Sequence, residues 1–221
     1  MRFIIREQEY EKLVAAGKFR YETKGNSTGE TESWRLTRLS KSYRLLRVDL
    51  DARKTADKCS TLYHLALGPS WRPERLKFHH FARSTEIIGD LQFDEEVVSL
   101  YRNINDHRLE DEEIISDGYR FWLPSVIGFA LLLGRPVTTS SRIFTLDRKE
   151  DFSLVQRQVN IERKGSKVVA VTGRNVPVQQ YLIDWNSETI RLWLDEHDLP
   201  VMLEQSDGFR AIESQYIRYE V

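Results

Sequence analysis

Cysteine is almost absent. Cys59 stands alone in 221 residues, so no intramolecular disulfide can form and the small disulfide-stapled classes are excluded. A surplus of one charge is also missing: 33 basic side chains face 34 acidic ones, for a formal net charge of −1. No global field draws the chain to nucleic acid or to acidic lipid. Long apolar runs are lacking too. The longest, Phe121 to Leu133, is shorter than a membrane span and is interrupted by Pro124. The opening Met1-Arg2-Phe3-Ile4-Ile5-Arg6-Glu7 has no signal-peptide apolar core. The expected compartment is therefore cytoplasmic, or periplasmic if a leader has been removed. No fixed-period repeat is visible, so a propeller or solenoid is not supported.

The familiar chemical motifs are missing as well. There is no Gly-x-Ser-x-Gly elbow, phosphate-binding Gly-rich loop or dinucleotide fingerprint. His-Glu-x-x-His, paired Cys-x-x-Cys and acidic calcium loops are also absent. Neither a metal nor a cofactor is expected. The five histidines are His64, His79, His80, His107 and His197. Adjacent His79 and His80 would face opposite sides of a strand, so they cannot share a metal. Cys59 follows Lys58, which lowers a thiol pKa, but no partner base is marked. The run Glu110-Asp111-Glu112-Glu113 reads as a solvated loop. Arg35, Arg38, Arg44 and Arg47, interleaved with Trp34 and Tyr43, make a weak basic patch. Glu30, Glu32, Asp49 and Asp51 dilute it, and no nucleic-acid partner is expected.

Apolar residues make up 40% of the chain and charged ones 30%, the balance of an ordinary globular protein long enough to bury a large core. Tyr10, Leu13 and Val14 share a helical face before Gly17, predicting a short N-terminal helix. Thereafter the period becomes two. Strands are predicted over Lys18–Glu22, Ser33–Leu39, Ser42–Leu50, Thr61–Leu67, Arg75–Phe81, Thr85–Phe93 and Glu96–Tyr101. Lys24 to Gly29 forms a turn, and Gly68-Pro69-Ser70 a break. Leu109–Asp117 is acidic and reads as a loop or a frayed segment, and Asp117-Gly118 as a turn. Pro124 suits a first helical turn, and Ser125–Leu133 predicts a short helix, apolar nearly all round, ended by Gly134 and Pro136. Such a helix must be covered or must touch something apolar. Six strands follow: Leu154–Arg163, Lys167–Thr172, Val178–Asp184, Thr189–Leu194, Val201–Gln205 and Ala211–Tyr219. Gly165-Ser166, Gly173-Arg174-Asn175, Asn186-Ser187, His197-Asp198 and Asp207-Gly208 separate them. The expected fold is mainly β: one domain over residues 1–221, an antiparallel meander curved into a half-barrel or open barrel around the apolar helix.

Three features carry a family resemblance: the strand rhythm from Lys18 to Tyr101, the Asp117-Gly118 … Leu123-Pro124-Ser125 segment, and the hairpin Ile190-Arg191-Leu192-Trp193-Leu194-Asp195 … Leu199-Pro200-Val201-Met202-Leu203 with Asp207-Gly208 beyond it. In these the chain resembles an uncharacterised bacterial family whose half-barrel fold is like that of the periplasmic lipoprotein carriers. The resemblance implies a half-barrel holding a helix and a lipid-like ligand, and it supplies no catalytic residue. The first expectation is thus a non-catalytic protein that binds a hydrophobic or lipid-like small molecule between sheet and helix. Trp34, Trp122, Ile127, Phe129, Leu132, Trp185 and Trp193 are the expected lining, because aromatic and branched side chains build apolar pockets. An interaction or scaffold domain using a sheet edge or the apolar helix is the alternative. An enzyme built on His79, His80 or Asp117 is the third reading. Oligomeric state has no signature in the sequence.

Overall fold

The computed structural model describes residues 9–114, 120–133, 140–148, 151–185 and 188–219. Among the described residues, fifteen strands join in one sheet. In chain order they are β1 (Lys12–Thr23), β2 (Asn26–Arg38), β3 (Arg44–Ala52), β4 (Cys59–Leu67), β5 (Pro73–Ala82), β6 (Thr85–Phe93), β7 (Val97–Ile104) and β8 (His107–Ile114). Next come β9 (Arg120–Phe121), the helix α1 (Gly128–Leu133), β10 (Ser140–Leu146), β11 (Leu154–Val171), β12 (Arg174–Trp185), β13 (Glu188–Leu194), β14 (Pro200–Gln205) and β15 (Phe209–Arg218). The spatial order is 8-7-6-5-4-3-2-1-15-14-13-12-11-10-9. The first and last described strands therefore meet mid-sheet, where β1 pairs with β15 from Ala15↔Arg218 to Thr23↔Phe209. Strands β2 to β8 run outward on one side of that seam, and β14 back to β9 on the other. Pairing is antiparallel throughout, except that β9 lies parallel to β10. Such a meander follows from short turns between sequential strands. Residues of β8 come within 8 Å of β11, Cα to Cα, so the sheet curls back on itself while remaining open.

Alternation sets which face is inside. On β1, Ala15, Phe19 and Tyr21 are buried; on β2, Glu32, Trp34 and Leu36; on β3, Leu46, Val48 and Leu50; on β4, Tyr63, Leu65 and Leu67. All of these but Glu32 share one buried cluster with Leu123, Val126, Ile127, Phe129, Leu132 and Leu133 of the α1 segment. A second cluster lies apart. The β11–β12 hairpin is bulged at Gly165, whose φ of 139° a side chain would resist. Near its tip, Thr172 Oγ1 donates to the Glu213 carbonyl at 2.7 Å, and Arg174 pairs with the Glu213 carboxylate. Glu213 is on β15, three strands away, so the distal hairpin folds across β13–β15. It buries Val171, Val178, Trp193 and Val201 there.

Four expectations are corrected. The expected N-terminal helix is strand from Lys12 onward, with Glu9 and Tyr10 in a turn; residues 1–8 lie outside the described set. The period-two burial of Ala15, Gly17, Phe19 and Tyr21 outweighs the helical spacing of Tyr10, Leu13 and Val14. Gly17 does not stop a helix; it leaves room for the Trp34 indole, which a Cβ would meet at 2.7 Å. The acidic stretch from Leu109 to Ile114 is not a loop but edge strand β8, exposed on both faces, with Asp111 paired to Arg102 at 2.7 Å. Leu154–Arg163 and Lys167–Thr172 form one bulged strand, β11, rather than two. β10 carries no alternating stripe, because Ile143, Phe144, Thr145 and Leu146 are all buried and a strand covered on both faces shows no alternation. The predicted Asp117-Gly118 and Asn186-Ser187 turns, and the Gly134 and Pro136 stop, fall outside the described residues. No helix among the described residues is long and apolar enough to cross a membrane.

Candidate functional site on the inner face

The apolar segment after β9 is held at both ends. The Trp122 amide donates to the Phe144 carbonyl at 2.9 Å, and Thr145 Oγ1 donates to the Trp122 carbonyl at 3.0 Å. Arg120 reaches forward to the Leu132 carbonyl at 2.8 Å, satisfying an acceptor at the helix end. α1 is shorter than expected, six residues, and its entry turn is capped from two sources. Ser125 Oγ accepts the Gly128 N–H at 3.1 Å. The Val126 and Ile127 amides donate to Glu32 Oε2 and Oε1 at 2.8 and 2.9 Å. Tyr21 donates its hydroxyl to the same carboxylate at 2.7 Å. One strand carboxylate, fully buried, thus takes up the orphan amides of a helix start some ninety residues away. Burial pushes Glu32 above the usual carboxylate range, with its three hydrogen bonds pulling the other way. Gly128 is required here, since a Cβ would stand 2.0 Å from the Leu123 carbonyl oxygen.

Of the seven expected lining residues, three form a connected aromatic group. Trp122 packs on Phe129 with centroids 5.1 Å apart and edge-on to Trp185 at 4.7 Å. Trp122 and Trp185 are half-buried, so the group runs from surface to core. Ile127 and Leu132 are buried in the same main cluster. Trp34 also belongs to that cluster, but its ring neighbour is Tyr216, at 6.3 Å. Trp193 lies in the second cluster, beneath Lys167 at 4.7 Å. The indole nitrogens of Trp34 and Trp122 are buried without a hydrogen-bond partner.

A polar group adjoins this region. Tyr63 is wholly buried on β4, and its hydroxyl has no partner; burial drives its pKa up, against the pull of Arg148. Arg148 makes a loose pair with Glu30 at 3.7 Å and keeps about a third of its side chain exposed. It also acts electrostatically on Tyr21 and Cys59. Burial pushes the Cys59 thiol up, leaving it a poor nucleophile. His79 and His80 do face opposite ways. His79 Nε2 meets Glu86 at 2.7 Å beside the exposed Phe81. His80 meets Thr61 Oγ1 at 2.8 Å and packs on Phe152 at 4.8 Å. Burial, with Arg148 nearby, lowers His80 to about 4, so it is neutral near pH 7. Phe152 belongs to the β10–β11 connection, which Arg102 anchors through Asp151 at 2.8 Å. Asp117 lies outside the described residues. No three His, Cys, Asp or Glu side chains among the described residues are grouped to hold a metal.

Tyr21, Glu32, Tyr63 and Arg148 were not anticipated. A signal existed for Glu32: it occupies the inward phase shared with Trp34 and Leu36, where a carboxylate needs a partner. Arg148, in a turn, carries no such mark.

No protein-family model matches the sequence, and no curated protein does. Among solved structures the chain is similar to a beta-barrel-like protein of domain of unknown function DUF1849 from Brucella abortus. That likeness has a TM-score of 0.54 at 11% identity and covers 94% of this chain and 98% of that one. The fold is therefore β-barrel-like, in a form whose structural neighbour is itself of unknown function. A structure of PNGF-II is also similar, with a TM-score of 0.36 at 7% identity, over 95% of this chain and 28% of that one; at that level it bears on neither fold nor function.

Proposed function

We propose that this chain is a non-catalytic binding protein for an amphipathic small molecule, held between the inner face of the sheet and the segment Trp122 to Leu133. The observation that carries the reading is the aromatic group of Trp122, Phe129 and Trp185. It is half-open to solvent, continuous with the main core, and includes an indole N–H without an acceptor. Small-molecule sites combine apolar walls with a few unspent polar groups in this way. The sequence resemblance to an uncharacterised family whose half-barrel fold is like that of the periplasmic lipoprotein carriers supports the same class of guest, by fold analogy alone. The non-catalytic part rests on Cys59, whose thiol is pushed up by burial and so held in its less nucleophilic form.

Native mass spectrometry of the purified protein, with organic extraction, tests the reading. A one-to-one adduct that is released on activation and recovered in the extract is expected. A bare protein mass, together with no response to long-chain fluorescent probes, contradicts it. A second reading, an interaction domain, is favoured by β8. This strand ends the sheet, and Leu109 and Ile114 on it are exposed; open edges recruit extended segments. If Ile114→Lys dissolved a stable complex in solution without changing guest binding, this second reading would gain over the first.

A further inference from the structure

We propose that β8 is the docking edge for an extended cationic segment of another protein, which joins the sheet as a further strand with Lys or Arg side chains opposite Glu110 and Glu112. This rests on the interaction reading above and specifies the partner's chemistry.

Main-chain geometry sets which groups are on offer. β7 and β8 are joined by Asn105 and Asp106, at φ of 46° and 70°, with Ile104 and His107 as the closing pair. A two-residue turn of this kind makes its closing pair hydrogen-bonded, and bonded and non-bonded pairs alternate from there. Arg108, Glu110, Glu112 and Ile114 therefore fall in the non-bonded pairs with β7, and their N–H and C=O groups point away from it. No described strand pairs with β8 on that side. β11 comes within 8 Å, Cα to Cα, yet every β8 residue except Asp111 stays exposed. A row of outward donors and acceptors at fixed spacing is a template for one more strand.

The side chains of the same four residues share the outer face with Asn103, Tyr101, Ser99 and Val97 of β7, none of them charged. Among the described residues no cation is in ion-pair contact with Glu110, Glu112 or Glu113, whereas Asp111 is neutralised by Arg102 at 2.7 Å. Ile114, which is 83% exposed, and Tyr101 add apolar surface to the same edge.

These charges decide which strand gains most by docking. A second copy of β8 is disfavoured. Every antiparallel register that engages three or more of the four outward residues sets a Glu opposite a Glu, and like charges directly opposite are destabilising. A neutral strand gains the backbone ladder alone. A strand with Lys or Arg at two alternate positions gains the ladder and two opposite-charge pairs, and an apolar residue two positions further covers Ile114. The acidic edge thus rejects its own kind and selects a basic partner.

The test uses the full chain and the labelled peptide Ile-Thr-Lys-Thr-Lys-Thr, followed by fluorescence anisotropy. Two controls are the same peptide with Glu for Lys, and the Lys peptide N-methylated at alternate residues, which cannot complete a ladder. Wild-type protein is expected to bind the Lys peptide about 10-fold more tightly than the Glu peptide, and N-methylation should abolish binding. Glu110→Lys combined with Glu112→Lys should invert the preference without lowering the melting temperature, since both side chains are exposed. Glu112→Pro, which removes an outward N–H and no bond to β7, should weaken the Lys peptide more than Glu112→Gln does. Equal affinity for the two peptides, binding of neither, or Lys-peptide binding that survives N-methylation overturns the cationic-strand assignment. A stable complex still dissolved by Ile114→Lys then leaves the interaction reading standing, and the lack of such a complex overturns both.

Discussion

Glu32 is the most exacting place to perturb this molecule. Its carboxylate is fully buried and accepts from Tyr21, Val126 and Ile127 at 2.7, 2.8 and 2.9 Å. Replacement by alanine leaves two amides and a phenol without their acceptor in a closed interior. Each unsatisfied group costs about 1–3 kcal/mol, less what relaxation recovers. Breaking a buried polar network of this kind costs about 3–5 kcal/mol in total. Against a domain stability of about 5–15 kcal/mol, Glu32→Ala is expected to lose about a fifth or more of the whole. Glu32→Gln keeps the volume and one oxygen but turns an amide toward a donor, for an expected cost of about 1–3 kcal/mol. Equilibrium urea unfolding measures both, and hydrogen exchange at Val126 and Ile127 should accelerate. The pH dependence has a definite sign. Burial raises the folded-state pKa above the unfolded value. The Glu32 contribution is therefore complete below the unfolded pKa of about 4.3 and is lost as pH rises through the folded one. Wild-type stability relative to Glu32→Gln should fall from about pH 4 upward. A Glu32→Ala loss below about 1 kcal/mol, with unchanged amide exchange, would refute the clamp.

Gly128→Ala places a methyl 2.0 Å from the Leu123 carbonyl oxygen, which is backbone and cannot swing aside. Calorimetry should show a destabilisation of about 1–3 kcal/mol. His80 should titrate near 4 by NMR, well below an ordinary imidazole; a midpoint near 6.5 would contradict its buried placement. Because its folded pKa is lowered, its contribution to stability is present above about pH 6.5 and is lost on acidification toward 4. Trp193→Ala should cost about 3 kcal/mol and expose amides of the distal β11–β12 hairpin to exchange. Guest affinity should not change, because Trp193 lies in the separate cluster; a parallel loss of binding would join the two clusters functionally.

Period-two alternation made most strands readable, and Thr85–Phe93 matches β6 residue for residue. The reading failed where burial does not alternate. β10 is covered on both faces, and β8 is exposed on both, so neither displays an inward stripe. β11 was divided because Gly165-Ser166 looks like a turn, whereas its partner β12 continues past the bulge. The parallel pairing of β9 with β10 has no local signature, because only tertiary contact brings Phe121 beside Phe144. Similar limits apply to the site. Trp122, Phe129 and Trp185 were legible as large apolar side chains, and they do meet. Trp193 looked equivalent in sequence, but its place depends on a hairpin folding over a distant strand. Tyr63 and Arg148 draw their interest from an unspent hydroxyl and a loosely paired guanidinium, properties that exist only once the sheet has curled.

Whether the inner face receives a guest is tested most directly by titrating the protein with a long-chain polyene that accepts tryptophan emission. The titration is repeated in Trp122→Phe and in Ile127→Trp, a substitution that fills the interior. Saturable energy transfer is expected in wild type. It should persist at reduced amplitude in Trp122→Phe, because Trp185 remains beside the site, and binding should be weakened at least 10-fold in Ile127→Trp if that variant remains folded. Absence of saturable transfer in wild type, or undiminished binding in a folded Ile127→Trp variant, would contradict an inner-face site.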